Sequence, residues 1–147
     1  MRLLQTTIGL IYLWFGGLKF FAHLSPAEEL ASRTLQILTF DLIPENINYL
    51  ILATGETSLG LLLIIGLLPA VVIRLAIAHM ICTFLPILLI PGEVFTSSPL
   101  ALTLAGQYIM KNMVILSALL ILVPSKNRMR VSVNNIQAGE SGIRKAI

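Results

Sequence analysis

The stretch INYLILATGETSLGLLLIIGLLPAVVIRLAIAHMICTFLPILLI, residues 47–90, decides how this chain is read. It holds two apolar runs, 47–68 and 69–90, that nearly touch at Gly66 to Pro69. Glycine suits a helix end and proline a helix start, so the two runs predict a tight antiparallel helical hairpin. As a helix, each run rises about 33 Å, enough to cross the roughly 30 Å hydrocarbon core of a bilayer. Working outward, a third apolar segment covers residues 3–21 and a fourth covers 102–123. The predicted fold is all-α: an integral membrane four-helix bundle, with residues 1–124 as one domain and a polar, basic tail at 125–147.

Composition agrees with this reading. Of the 147 residues 56% are hydrophobic and 12% charged, about half the charged share of a soluble domain, and mean hydropathy is +0.91. A lone cysteine, Cys82, excludes an internal disulfide and a CxxC redox pair. The first segment is longer than the apolar core of a signal peptide and no small-residue cleavage signal follows it, so it reads as a retained span.

Lys and Arg fix the expected orientation. Arg2, Arg74 and the tail residues Lys126, Arg128, Arg130, Arg144 and Lys145 fall on one side of a four-span bundle. Glu28, Glu29, Asp41, Glu45 and Glu93 fall on the other, with Arg33. Both termini are therefore expected to be cytoplasmic, in a bacterial inner membrane, with the basic tail resting on anionic lipid. Between spans one and two, SPAEELASRTLQIL reads as a short amphipathic exterior helix. Ser25 is its expected N-cap in a capping box with Glu28, Pro26 its first residue, and Ala27, Leu30, Ala31, Leu35 and Leu38 its apolar face.

Glu56 stands near the middle of an otherwise apolar run, and an isolated charge at that depth costs about 2.5 to 3.5 kcal/mol or more. At 1.5 Å per residue, Glu56 lies about 14 Å from the outer end of span two. Lys111 lies about 14 Å from the outer end of span four, and His79 about 15 Å from the inner end of span three. Three ionisable groups thus share a level, with Lys19 one to two turns from the outer end of span one, where its stem could reach down to Glu56 or snorkel outward. Glu56 is expected to be paired with one or both ammonium groups, Lys111 and Lys19, which offsets the cost of burial. Helical spacing puts Gln5, Tyr12, Gly16, Lys19 and His23 on one stripe, Tyr49, Ala53, Glu56 and Gly60 on another, and Gln107, Tyr108, Lys111 and Asn112 on one broad side. Gly16, Gly17, Gly55, Ser58 and Gly60 allow close backbone approach between helices, and Pro86 should kink span three above His79. The candidate ligand-binding residues are accordingly Lys19, Glu56, His79, Gln107, Tyr108, Lys111 and Asn112. None is assigned as catalytic. One histidine with Cys82 lacks the further ligands a metal site needs, and Tyr12 and Trp14 read as packing or interface residues.

The order YLWFGGLKFF, ETSLGLLLIIGLL, GQYIMKNMVIL resembles the DoxX-like family of small four-helix membrane proteins. Its pattern is similar at Gly16, Lys19 and Phe20, then Glu56 and Gly60, then Gly106, Gln107, Tyr108, Lys111 and Asn112. The resemblance covers roughly residues 3–124 and implies an association with membrane redox systems. The leading expectation is a redox-associated subunit that binds a quinone or similar small amphiphile. It would be an enzyme only as a subunit of a quinone-linked oxidoreductase, with no intrinsic cofactor. Expected partners are membrane lipid and a soluble or membrane redox protein that supplies electrons. Nucleic acid is not among them. Two alternatives remain at this point: a transporter of protons, ions or a small metabolite, which would call for a homo-oligomer, and a non-catalytic scaffold or stress-related partner.

Overall fold

A computed structural model describes residues 1–21, 24–25, 27–96 and 101–123. The described chain is helical throughout: α1 (Arg2–Leu18), α2 (Glu28–Leu38), α3 (Glu45–Ile65), α4 (Pro69–Cys82), α5 (Leu85–Leu89), α6 (Pro91–Val94) and α7 (Leu104–Leu122). A lone antiparallel bridge joins Phe95 to Leu102. The tail expected as a separate polar segment lies outside the described residues, as do His23 and Pro26.

The predicted hairpin forms where the sequence places it. Gly66 ends α3 in the left-handed conformation at φ 78°, and its N–H donates to the Leu62 carbonyl at 2.9 Å, the usual glycine solution to a helix C-terminus. Pro69 then opens α4. Among the described residues three units are long and apolar enough to cross a membrane: α3 (21 residues), α4 with α5 as Pro69–Leu89 (21 residues) and α7 (19 residues). At 17 residues, α1 is shorter than its apolar run. After Leu18 the backbone tightens to i→i−3 bonds, with Lys19, Phe20 and Phe21 donating to Gly16, Gly17 and Leu18, a 3₁₀-like finish.

α1 and α3 run antiparallel with their backbones in close contact. A Cβ at Gly60 would sit 2.5 Å from the Leu13 nitrogen and 2.8 Å from the Gly9 carbonyl oxygen. One at Gly16 would sit 2.7 Å from the Thr57 nitrogen. At the far end Arg2 lies against Gly66, and the Gln5 amide donates to the Leu63 carbonyl at 2.8 Å, satisfying an acceptor that α3 leaves open in its last turn. Gly9, Gly16 and Gly60 are therefore the small residues that let the helices meet. Gly17 and Gly55, expected to share that role, face open space.

The register has a consequence for the site. α1 starts level with the end of α3 but finishes at Glu56, well short of the start of α3. The N-terminal part of α3 is met instead by α2, where the Asn48 amide donates to the Thr39 hydroxyl at 2.9 Å. α2 itself begins later than the capping-box pattern predicts. Ala27 is its N-cap, with no side-chain cap, and Glu28 and Glu29 occupy its first turn, where carboxylates suit the helix dipole. Of its expected apolar face Leu30 is buried, packing with Val94 and Ile109 in a small core, while Leu38 is exposed and Ser32 and Thr34 are buried as well.

The expected break in span three lies at Thr83 and Phe84, between α4 and α5. Pro86 has no N–H to give the Cys82 carbonyl, and the turn is closed by the Thr83 hydroxyl donating to the Met80 carbonyl at 2.7 Å. The α7 N-terminus is capped by Thr103, whose hydroxyl accepts from the Gly106 N–H at 3.0 Å. An inner core of Ile8, Leu63, Val72, Ile73, Ala76, Leu119 and Leu122 lies below the level of Glu56. Turned away from these cores are large apolar side chains such as Trp14, Ile65, Leu75, Leu88, Val114 and Ile121. Such a surface fits a lipid surrounding and not water.

Candidate functional site

Glu56 reaches the bundle interior on the α3 face that carries Ala53 and Gly60, and it is 8% exposed. Gly16 lets α1 come close enough that the first residue past its end, Lys19, lies beside this carboxylate. Lys19 Nζ donates to Glu56 Oε2 at 2.5 Å. From α4, His79 Nε2 lies 3.3 Å from Glu56 Oε1. The other imidazole nitrogen, Nδ1, lies 3.2 Å from the Tyr12 hydroxyl, which is also 3.0 Å from the Ala76 carbonyl oxygen. Four side chains from three helices thus form one chain of contacts: Lys19, Glu56, His79, Tyr12.

The proton count along this chain closes in two ways. With a neutral imidazole protonated at Nε2, His79 donates to Glu56 and accepts the Tyr12 proton at Nδ1. With an imidazolium, both ring nitrogens donate, and Tyr12 turns its own proton to the Ala76 carbonyl. Neither state leaves a donor facing a donor, so His79 can gain or lose a proton with the heavy atoms in place. Both ring nitrogens are engaged, which leaves none for a metal, and the described residues contain no group of three or more metal-ligating side chains.

Two cavities flank the carboxylate. The larger, about 480 Å³, opens between α1, α4 and α7. Tyr12, Lys19, Glu56 and His79 form its polar wall, Ile11, Phe15, Val114 and Ile115 its apolar walls, and Tyr108, Lys111 and Asn112 its α7 side. The smaller, about 180 Å³, lies under α2, shares Lys19, Glu56, His79, Tyr108 and Asn112 with the larger, and is bounded by Leu35, Leu38, Leu52 and Pro86. Ser25 and Ala27 also line the larger one, beside the end of α1. Above, a polar vestibule of about 880 Å³ is lined by Glu28, Glu29, Arg33, Glu45 and Glu93 among others, and Arg33 is ion-paired with Glu93.

The structure brings Lys19, Glu56, His79, Tyr108, Lys111 and Asn112 around one cavity and leaves Gln107 out. Gln107 is exposed and lines neither cavity that Glu56 lines. Lys111 is not a partner of Glu56. Its Nζ sits 3.5 Å from the Tyr108 ring centroid and 5.7 Å from that of Phe15, a cation–π arrangement at the cavity rim. Phe15 and Tyr108 meet edge to face at 6.3 Å, bridging α1 and α7. Asn112 donates to the Thr83 hydroxyl at 3.0 Å and so holds the break in span three against α7. Tyr12, read from sequence as a packing or interface residue, is packed in the core at 3% exposure and also lines the site, its hydroxyl beside His79. Its place on the Gln5–Lys19 stripe was the available signal. The chain matches no protein-family model, no characterised protein and no solved structure.

Proposed function

We propose that this is a four-span membrane protein, termini cytoplasmic, whose α1/α4/α7 cavity binds a quinone or similar small amphiphile as a redox-associated subunit of DoxX-like type. In this reading α1 is the fourth span and α2 lies on the outer side, its apolar face over the bundle. The observation that carries the proposal is the cavity itself. Its volume falls within the usual range for a small-molecule site, its walls are apolar, and the hydrogen-bonded Lys19–Glu56–His79–Tyr12 chain forms one wall.

Each residue then has a task. Phe15, Ile115 and Val114 hold the apolar body and admit it from the lipid side. Tyr108 and Asn112 orient a carbonyl. His79, which is satisfied in either protonation state, exchanges a proton with the bound head while Glu56 and Lys19 keep the imidazole in place. A quinone, when bound, supplies the electron chemistry, and electrons come from a partner protein. Transport has less support, since the fully buried Leu63 and Leu119 fill the bundle below the site.

The test is direct. Protein purified in mild detergent and extracted with organic solvent should release quinone near one per chain, and His79→Phe should lower that yield at least about tenfold in protein that circular dichroism shows to remain helical and folded. Absence of quinone from the wild type, together with no uptake of added quinone, would overturn the proposal.

A further inference from the structure

The charges that line the larger cavity do not balance. Lys19 and Glu56 form an ion pair and cancel. Lys111 is the remaining formal charge on the lining, and no carboxylate among the described residues lies within ion-pairing distance of it. Its Nζ rests on the faces of Tyr108 and Phe15. Those faces orient an ammonium group but do not neutralise it. The remainder is therefore +1 with His79 neutral, and larger with His79 protonated. In a site walled by Ile11, Phe15, Val114 and Ile115, an unbalanced charge interacts far more strongly than in water. Whatever enters is selected by it.

We infer that the amphiphile taken by this cavity carries one ionised oxygen acid, which Lys111 neutralises at the rim while the apolar body lies between α1 and α7. The inference rests on the reading of the cavity as an amphiphile site and specifies its ligand. Two sources share this chemistry: a long-chain carboxylate, and a hydroxyquinone whose ring hydroxyl is ionised. Both spread one negative charge over oxygens that an ammonium can reach. The volume of about 480 Å³ suits one tail or one ring system, and a two-chain phospholipid would leave a tail outside.

Full-length protein in nanodiscs of neutral phosphatidylcholine separates the cases. Tritiated palmitate is measured against hexadecanol, and an alkyl hydroxynaphthoquinone against its methoxy analogue, which has no acidic proton. One acid or both should bind at least about tenfold tighter than its neutral match, as charge-assisted contacts do, and the member that does so identifies the source. Lys111→Met should remove the difference and Lys111→Arg should keep it, with melting temperature reporting the fold of each. Equal binding of acid and neutral ligand to the wild type would overturn the charge inference and leave the amphiphile site standing. Discrimination that survives in a folded Lys111→Met protein would overturn it too, and binding of none of the four would overturn both.

Discussion

Glu56 is stable in the bundle because two helices bring it partners, and the balance is local enough to test. Lys19 and Glu56 side chains are 10% and 11% exposed and 2.5 Å apart. Removing one member of such a pair leaves an uncompensated buried charge and typically costs about 3 to 5 kcal/mol, while replacing both by apolar residues of similar size is often close to neutral. Lys19→Met should therefore lower the melting temperature strongly in detergent, and Lys19→Met with Glu56→Leu should recover most of it. If the single and double variants melt alike, the pair does not hold α1 to α3. At this scale the sequence was readable where a residue broke its surroundings: a carboxylate within an apolar run cannot be overlooked, and Lys19 was the nearest lysine able to reach it. Lys111 was misjudged as a partner because depth along a helix gives height and not azimuth, so matching depth did not show that its stem runs to Tyr108. Tyr12 packs in the core as its sequence position suggests, and only the placement of His79 Nδ1 gives its hydroxyl a second role.

Between elements, the decisive contact is α1 on α3, and it depends on three glycines of the five named from sequence or found in the contact. A Cβ at Gly60 would run into the Leu13 and Gly9 backbone, and one at Gly16 into Thr57. Since backbone cannot yield as a side chain end does, Gly60→Ala and Gly16→Ala should each destabilise by about 1 to 3 kcal/mol, the usual cost of overpacking. Gly17→Ala and Gly55→Ala have open space at the new methyl and should cost nothing measurable, since alanine is the better helix former. Thermal unfolding of the four variants checks this, and equal losses at all four would mean that the helices do not meet as described. Small residues in the sequence announced a close contact, but Gly16 and Gly17 are adjacent, 100° apart around the helix, and which one faces α3 is set by packing. The hairpin at Gly66–Pro69 and the break near Pro86 were legible because both follow from backbone chemistry that no neighbour can override. The start of α2 was not: Ser25 and Glu28 satisfy the capping pattern, yet Ala27 takes the cap position.

For the whole molecule, the question is which sides of the bundle are open. The half that holds the α3–α4 turn is closed by Leu63 and Leu119, both fully buried. The other half is open beside α1, which ends at Glu56 and leaves room for Ser25, Ala27 and the α2 face. The antiparallel register of α1 on α3 puts Arg2 beside Gly66, so the start of the chain and the α3–α4 turn share a side whatever the surrounding membrane. In a Cys82→Ser background, single cysteines at Arg2, Leu67, Glu29 and Thr96 report this arrangement. With cytoplasmic termini, Glu29→Cys and Thr96→Cys should react with a membrane-impermeant maleimide on intact cells, and Arg2→Cys and Leu67→Cys only after lysis. Reaction of Arg2→Cys and Leu67→Cys on intact cells, with the other two protected, would reverse the orientation and keep the fold. Splitting Arg2→Cys from Leu67→Cys would break the register itself, and with it the meeting of Lys19 and Glu56, because one rigid contact between α1 and α3 sets both.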